Sequence, residues 1–268
     1  MTDWLLEDLA AARRARAPCA LVTLADTKGS VPRAAGSKML VYADGKICGT
    51  IGGGKFEALV IEEARRQIDA KKPLLKKYPL HEGATDSFGA ICGGEVTVLI
   101  EPQTMSEALF LIGGGHCAQA IANLASECGL FVSVVEDRAD LAATFPAAIA
   151  VVVDAAPAQF IAGRKWQADE AIVLVSRNYE IDREALAAAL ACPGAGYIGM
   201  IGSARKVQRV FDQLKERGVT AEQLARVYAP LGLDIGADAP VEIAVSVLAE
   251  VLAVLRGKSG RPLSGRAV

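Results

Sequence analysis

Histidine is scarce in this chain: His81 and His116 are the only two among 268 residues. Two histidines do not build a His-based metal site unless carboxylates help. Cysteine occurs six times, at positions 19, 48, 92, 117, 128 and 192, yet no pair forms C-x-x-C, so zinc-finger spacing is absent. The thiols read as reduced cysteines of a cytosolic protein. A surplus of one charge is lacking too, since 29 Lys+Arg stand against 31 Asp+Glu for a net −2. A nucleic-acid binder carries a basic surplus or stripe, so no nucleic-acid partner is expected. No apolar run approaches the ~20 residues that span a bilayer. The richest stretches, 147–153 and 243–255, are too short or broken by Glu250, so no membrane partner is expected either. The first residues set Asp3, Glu7 and Asp8 before any base, which does not read as a secretory signal. Arg13-Arg14 within an amphipathic helix does not read as a twin-arginine signal. Repeats and low-complexity tracts are absent. What is present is 52% apolar and 22% charged, the composition of an ordered, core-forming chain expected in the cytoplasm.

The length fits about two domains of ~150 residues. Texture changes at 102–106. Before it, apolar spacing predicts a helix over 3–16, a strand over 19–24, a hairpin over 39–51 around Asp44-Gly45, a helix over 55–70 and an edge strand over 71–78. A glycine-rich loop over 81–90 and a strand over 95–100, ended by Glu101-Pro102, complete this part. After it, strands at 108–112, 130–135, 148–153, 171–175 and 196–200 alternate with helices at 119–127, 183–190 and 204–217. Helices are also read over 221–227 and 241–256, the latter with Asp238 as N-cap and Pro240 near N1. Strict alternation argues a parallel sheet covered on both faces. The fold class is therefore α/β: a small N-terminal α/β domain (1–103), a Rossmann-like parallel-sheet domain (104–257) and a tail (258–268).

Gly113-Gly114-Gly115-His116-Cys117-Ala118 fits G-x-G-x-x-G/A between a strand and a helix. Gly113 makes the turn, Gly115 admits a diphosphate and Ala118 allows close helix–strand packing. Glu136 and Asp137 follow at the spacing of an acid that holds a ribose hydroxyl, and Arg138 beside them suits a phosphate, which leaves NAD and NADP both open. Equally open is a Rossmann-like pocket that serves something other than NAD(P). His116 sits either over a diphosphate or on the loop surface. Three further clusters resemble anion sites. Gly52-Gly53-Gly54 with Glu57 passes from strand to helix and reads as a phosphate nest or as a plain tight turn. Gly202-Ser203-Ala204-Arg205-Lys206 opens a helix with two cations against its dipole, a cost of ~0.3–1 kcal/mol each that an anion would offset. Gly232-Leu233-Asp234-Ile235-Gly236 runs into the last helix. Cys92, before Gly93-Gly94, is either a reactive thiol in a polar loop or a buried inert one. No proton relay of a dehydrogenase is recognisable.

Taken in order, these motifs resemble the XdhC/CoxI family, the xanthine dehydrogenase accessory proteins. The likeness runs through Gly29-Ser30-Val31-Pro32-Arg33, Gly49-Thr50-Ile51-Gly52-Gly53-Gly54 with Glu57, Cys92-Gly93-Gly94, Gly113-Gly114-Gly115-His116, Asp137-Arg138, Gly199-Met200-Ile201-Gly202-Ser203 with Arg205-Lys206, and Gly232-Leu233-Asp234-Ile235-Gly236. The resemblance implies an accessory protein rather than a metabolic enzyme. Such a protein binds the molybdenum cofactor (Moco, a pterin carrying a phosphate), protects it while a cysteine desulfurase sulfurates it, and helps insert it into apo xanthine dehydrogenase. It also implies a homodimer. Cys92 would then touch molybdenum or pass sulfur, and no resident metal is expected. Two departures stand out. Gly54 occupies a place where the CoxI branch usually has cysteine, and Ser176-Arg177 stands where many members have Thr-His. Two other functions compete: an NAD(P)-dependent oxidoreductase built on residues 113–118 with Asp137, and a sulfurtransferase acting through Cys92.

Overall fold

A computed structural model of the chain describes residues 3–80, 93–103, 107–147, 149–153 and 156–266. The expected loop at 81–90 and Cys92 lie outside the described residues. The chain divides into two units, Met1–Met105 and Ser106–Val268.

The first unit holds α1 (Asp3–Arg14), β1 (Cys19–Lys28), β2 (Lys38–Tyr42), β3 (Ile47–Gly49), α2 (Gly54–Ala70), β4 (Leu74–Leu80) and β5 (Gly94–Gln103). Its five strands form one sheet in the order β3-β2-β1-β5-β4, with every pairing antiparallel. Period-two alternation decides what each face covers. Val22, Leu24, Met39, Val41, Val96, Val98 and Ile100 share a core with Phe56, Val60 and Ala64, the buried stripe of α2. Leu40, between Met39 and Val41, points the other way and packs with Cys19 and with Leu5 and Ala12 of α1. The strand predicted to stop at Glu101-Pro102 instead continues to Gln103. Pro102 pairs opposite Ala20, but β4 ends its pairing at Ile100, so Pro102 needs no N–H on its other side.

The second unit holds β6 (Ala108–Ile112), α3 (His116–Glu127), β7 (Phe131–Glu136), α4 (Ala139–Ala142), β8 (Ala150–Val153), α5 (Pro157–Ala162), β9 (Glu170–Leu174), α6 (Tyr179–Ala191), β10 (Tyr197–Met200), α7 (Ala204–Glu216), α8 (Ala221–Leu224), β11 (Val227–Tyr228) and α9 (Pro240–Leu255). The sheet order is β11-β10-β9-β6-β7-β8 and all pairings are parallel. Counted within this unit, that is the 3-2-1-4-5-6 order of a Rossmann fold, with its switch point between β6 and β9. β6 and β9 are buried at every residue, as a sheet covered on both faces requires. Phe110 and Ile112 pack with α5, α6 and α7, whereas Leu109 and Leu111 pack with α3 and α9. The helix predicted over 221–227 is only α8, and Val227-Tyr228 instead pairs with β10. There the Tyr228 ring stacks on Tyr197 at 4.7 Å, a packing gain that overrides helical continuation. The N-cap of α9 is Ala239 rather than Asp238. The Glu242 carboxylate accepts the N–H groups of Asp238 and Ala239 at 2.9 and 3.0 Å, taking over the capping role. Residues 258–266 form neither helix nor strand and are exposed.

Candidate functional site

In the second unit the motifs gather at the carboxyl ends of the parallel strands, where open α/β sheets bind ligands. Gly113 has φ +112°, and a Cβ there would meet the Val175 carbonyl oxygen at 2.7 Å, so the turn admits glycine alone. The Gly114 N–H donates to Glu136 Oε2 at 2.6 Å. Gly115, the N-cap of α3, faces open space. No side chain caps α3 and no acid sits in its first turn, so its first N–H groups are an available anion seat. His116 is exposed at the start of that helix, while Ala118 is fully buried.

The acids after β7 have separate jobs. Glu136 is 2% exposed and accepts Arg138 Nε at 2.7 Å and Nη2 at 3.0 Å, besides Gly114 N–H. Burial alone would raise its pKa. The Arg138 side chain and the two backbone N–H groups outweigh burial and hold the carboxyl at about 2. Arg138 is thus engaged by the chain's own acid. Asp137 is the exposed acid, and Arg177 reaches across to it at 2.8 Å. The crevice lined by that pair offers about 30 Å³, room for a water or two.

The cations of α7 part company as well. Lys206 Nζ donates to Asp182 Oδ2 at 2.5 Å and to the Ile201 carbonyl at 3.2 Å. Asp182 is fully buried and also accepts the Ser176 N–H at 3.3 Å. The anion that offsets Lys206 is therefore supplied from within. Gly202, at φ +154°, leaves room for the Lys206 stem, and Ser203 caps α7. Arg205 remains exposed. Gly113 touches Ser176, Ser176 binds Asp182, and Asp182 binds Lys206, so two motifs 90 residues apart support one crevice. Sequence reasoning missed Asp182, and it named Arg177 only as a departure from the family pattern. It noticed Glu250 only as an interruption of an apolar helix, and that interruption was the available signal. Glu250 accepts the Tyr197 hydroxyl at 2.5 Å and the Gly232 N–H at 2.9 Å.

In the first unit, one oxygen of Glu57 accepts Thr50 Oγ1 at 2.5 Å, Ile51 N–H at 2.9 Å and Gly53 N–H at 3.1 Å. The nest read at Gly52-Gly53-Gly54 is filled by the chain's own carboxylate. Burial opposes the Glu57 charge, but these donors prevail and lower its pKa. Gly52 packs on Pro32, where a Cβ would come within 2.9 Å of the ring. Ser30 bridges to Gly93, and a Cβ on Gly94 would meet the Lys28 carbonyl at 2.6 Å. Three distant motif segments thereby meet at one end of the antiparallel sheet. Among the described residues, no group of three His, Cys, Asp or Glu side chains could hold a metal, and no helix is long and apolar enough to cross a membrane.

Comparison with known proteins puts this geometry in context. Residues 109–251 match the XdhC Rossmann domain and residues 12–79 match the XdhC and CoxI family. The chain is 37% identical over 245 residues to the uncharacterized protein YqeB of Escherichia coli; this covers 91% of the chain and 44% of YqeB, so the chain spans less than half of that relative. It is 25% identical to the Escherichia coli molybdenum cofactor insertion chaperone PaoD, over 87% of this chain and 82% of PaoD. A solved Bacillus halodurans structure described as a xanthine dehydrogenase shares the fold at TM-score 0.50 and 22% identity, covering 98% of this chain and 97% of that one. With a family model matched over more than half of its length, the chain belongs to the XdhC and CoxI family.

Proposed function

We propose that the protein is a molybdenum-cofactor-binding accessory protein for xanthine dehydrogenase-type molybdenum hydroxylases. The observation that carries this reading is the likeness to an insertion chaperone across most of both chains. The local chemistry fits a pterin that bears a phosphate or diphosphate. The uncapped start of α3 beside Gly115 suits an anion, and exposed Arg205 at the start of α7 offers a guanidinium at the same edge of the sheet. In this reading the protein holds Moco while a cysteine desulfurase sulfurates it, then assists its insertion into the apo enzyme, acting in the cytoplasm as a homodimer. Cys92 contacts the cofactor or relays sulfur.

The glycine loop and strand order also favour a second reading, an NAD(P)-dependent oxidoreductase. The acid end of the crevice argues against it. Glu136 is sealed by Arg138 and Asp137 is tied to Arg177, so a ribose finds no unengaged carboxylate there. The test is reconstitution of an apo molybdenum hydroxylase with Moco and desulfurase, with and without this protein. Higher client activity with the protein present is expected, and Cys92→Ser is expected to reduce that gain. Identical activation with and without the protein overturns the proposal.

A further inference from the structure

The segment after α9 leaves the helix with its apolar and charged side chains unused. Gly257, at φ +62°, turns the chain back, and the Lys258 N–H donates to the Ala253 carbonyl at 2.7 Å. Gly260 then lies against Ala253 and Leu233, where a Cβ would stand 3.5 Å from Leu233 Cδ2. That contact seats the root of the segment on the 230–236 loop. Farther on, the Gly265 N–H donates to the Pro262 carbonyl at 3.0 Å, a turn that carries Leu263. Leu263 is fully exposed. The guanidinium groups of Arg261 and Arg266 have no hydrogen-bond or ion-pair partner among the described residues.

The loop that faces this segment is pinned from α9. Glu250 holds the Gly232 N–H at 2.9 Å, Ser246 Oγ donates to the Leu233 carbonyl at 2.6 Å, and the Ser246 carbonyl accepts the Leu233 N–H at 3.2 Å. Its tip, Asp234 and Ile235, is exposed, and the Asp234 carboxylate also has no partner among the described residues. Leu233, Asp234 and Ile235 line two cavities. The smaller, about 410 Å³, opens onto Ile201, Leu231 and Ile243. The larger, about 890 Å³, has Asp234 on the loop side and Arg261 and Arg266 on the other. A space of that volume is ~10 Å across, about one Debye length at physiological salt, so the acid and the two bases attract each other over it. Leu263 is three residues beyond Gly260, a reach of about 10 Å. Gly260 sits at φ +68°, in a region that glycine enters and leaves without strain. We propose that residues 258–266 are a strap that closes on the 230–236 loop about Gly260, pairing Arg261 and Arg266 with Asp234 and seating Leu263 in the smaller cavity. Burial of the leucine drives the closure and the ion pair sets its register. Closed, the strap keeps other apolar groups out of that cavity. This device stands independently of the cofactor reading.

The test is methyl NMR on the full chain with isotope-labelled Leu, Ile and Val. Closure should give cross-relaxation between the Leu263 methyls and those of Ile201 and Ile243, which line the smaller cavity alone. Raising NaCl from about 50 mM to about 1 M should weaken these contacts, because the Debye length then shrinks to ~3 Å. Asp234→Asn should lower the ratio of closed to open strap about 2- to 5-fold, as expected for one exposed ion pair. Asp238→Asn, an exposed acid outside both cavities, should change nothing. Leu263→Ser supplies a second readout with an informative sign. If the strap closes, this variant vacates the cavity and the apolar dye ANS should bind more strongly than to the parent. If the strap stays open, the variant merely removes an exposed leucine, and ANS binding should fall or stay level. Absence of the Leu263 contacts at every salt concentration overturns the proposal. So do contacts that ignore both salt and Asp234→Asn, and contacts that arise only between differently labelled copies, which would give Leu263 to a second chain.

Discussion

Gly113 and Gly115 stand two residues apart in one motif and carry different loads. Gly113 is at φ +112° with a carbonyl where its Cβ would go, whereas Gly115 is at φ −68° facing open space. Gly113→Ala should therefore destabilise the protein by about 2 kcal/mol or more, from backbone strain plus the clash. Gly115→Ala should leave urea-unfolding midpoints within about 0.5 kcal/mol of the parent and act, if at all, on ligand binding. Lys206 offers a second contrast. Removing its ammonium strands the fully buried Asp182 carboxylate, so Lys206→Met should cost about 3 kcal/mol, the low end for a broken buried pair because Lys206 keeps 24% exposure. Arg205→Met next to it should be near neutral in the same measurement. The sequence made Gly113 and Ala118 legible because steric needs follow from spacing. It left Lys206 ambiguous because Asp182, 24 residues earlier, becomes its partner only once α6 and α7 pack.

At the scale of elements, acids that cap and plug loops make stability depend on pH. Glu57 and Glu136 both have pKa values below the ordinary 4.5, Glu136 at about 2. A depressed folded-state pKa gives stability that is present above the unfolded value and lost as pH falls through the folded one. Unfolding free energy should therefore drop between about pH 4.5 and pH 2, with Glu136 accounting for up to about 3 kcal/mol of the fall. Glu136→Gln should lower the neutral-pH plateau and flatten the acid limb, as urea titrations from pH 7 to pH 2.5 would reveal. An unchanged limb would assign the fall to other groups. Most elements were legible from apolar period: α2, α3, α7 and the buried strands of the parallel sheet sit close to their predicted places. Two ends were not. β5 passes through Pro102 because its neighbour has already ended, and β11 replaces the last part of a predicted helix, where Tyr228 stacks on Tyr197. Both outcomes depend on partners that local sequence does not contain.

For the whole molecule, each unit has its own core: Val22, Val98 and Val60 in the first, Phe110, Leu111 and Val210 in the second. Residues 106–268 expressed alone should therefore unfold in one cooperative transition, and loss of cooperativity in that fragment would contradict the division at Met105. The glycine motifs made the Rossmann unit readable in advance, but not the order of its strands. They could not reveal that Arg177 pairs with Asp137 and Arg138 with Glu136, because long flexible cations choose their acids only in three dimensions. The central claim, that this fold carries a pterin cofactor rather than a nicotinamide, is tested most directly by anaerobic titration of the purified protein with Moco and, separately, with NAD(H) and NADP(H). The account predicts Moco binding at about micromolar Kd or tighter, roughly −8 kcal/mol, with nicotinamide dinucleotides at least about a hundredfold weaker. Tight nicotinamide binding with no Moco binding would contradict it.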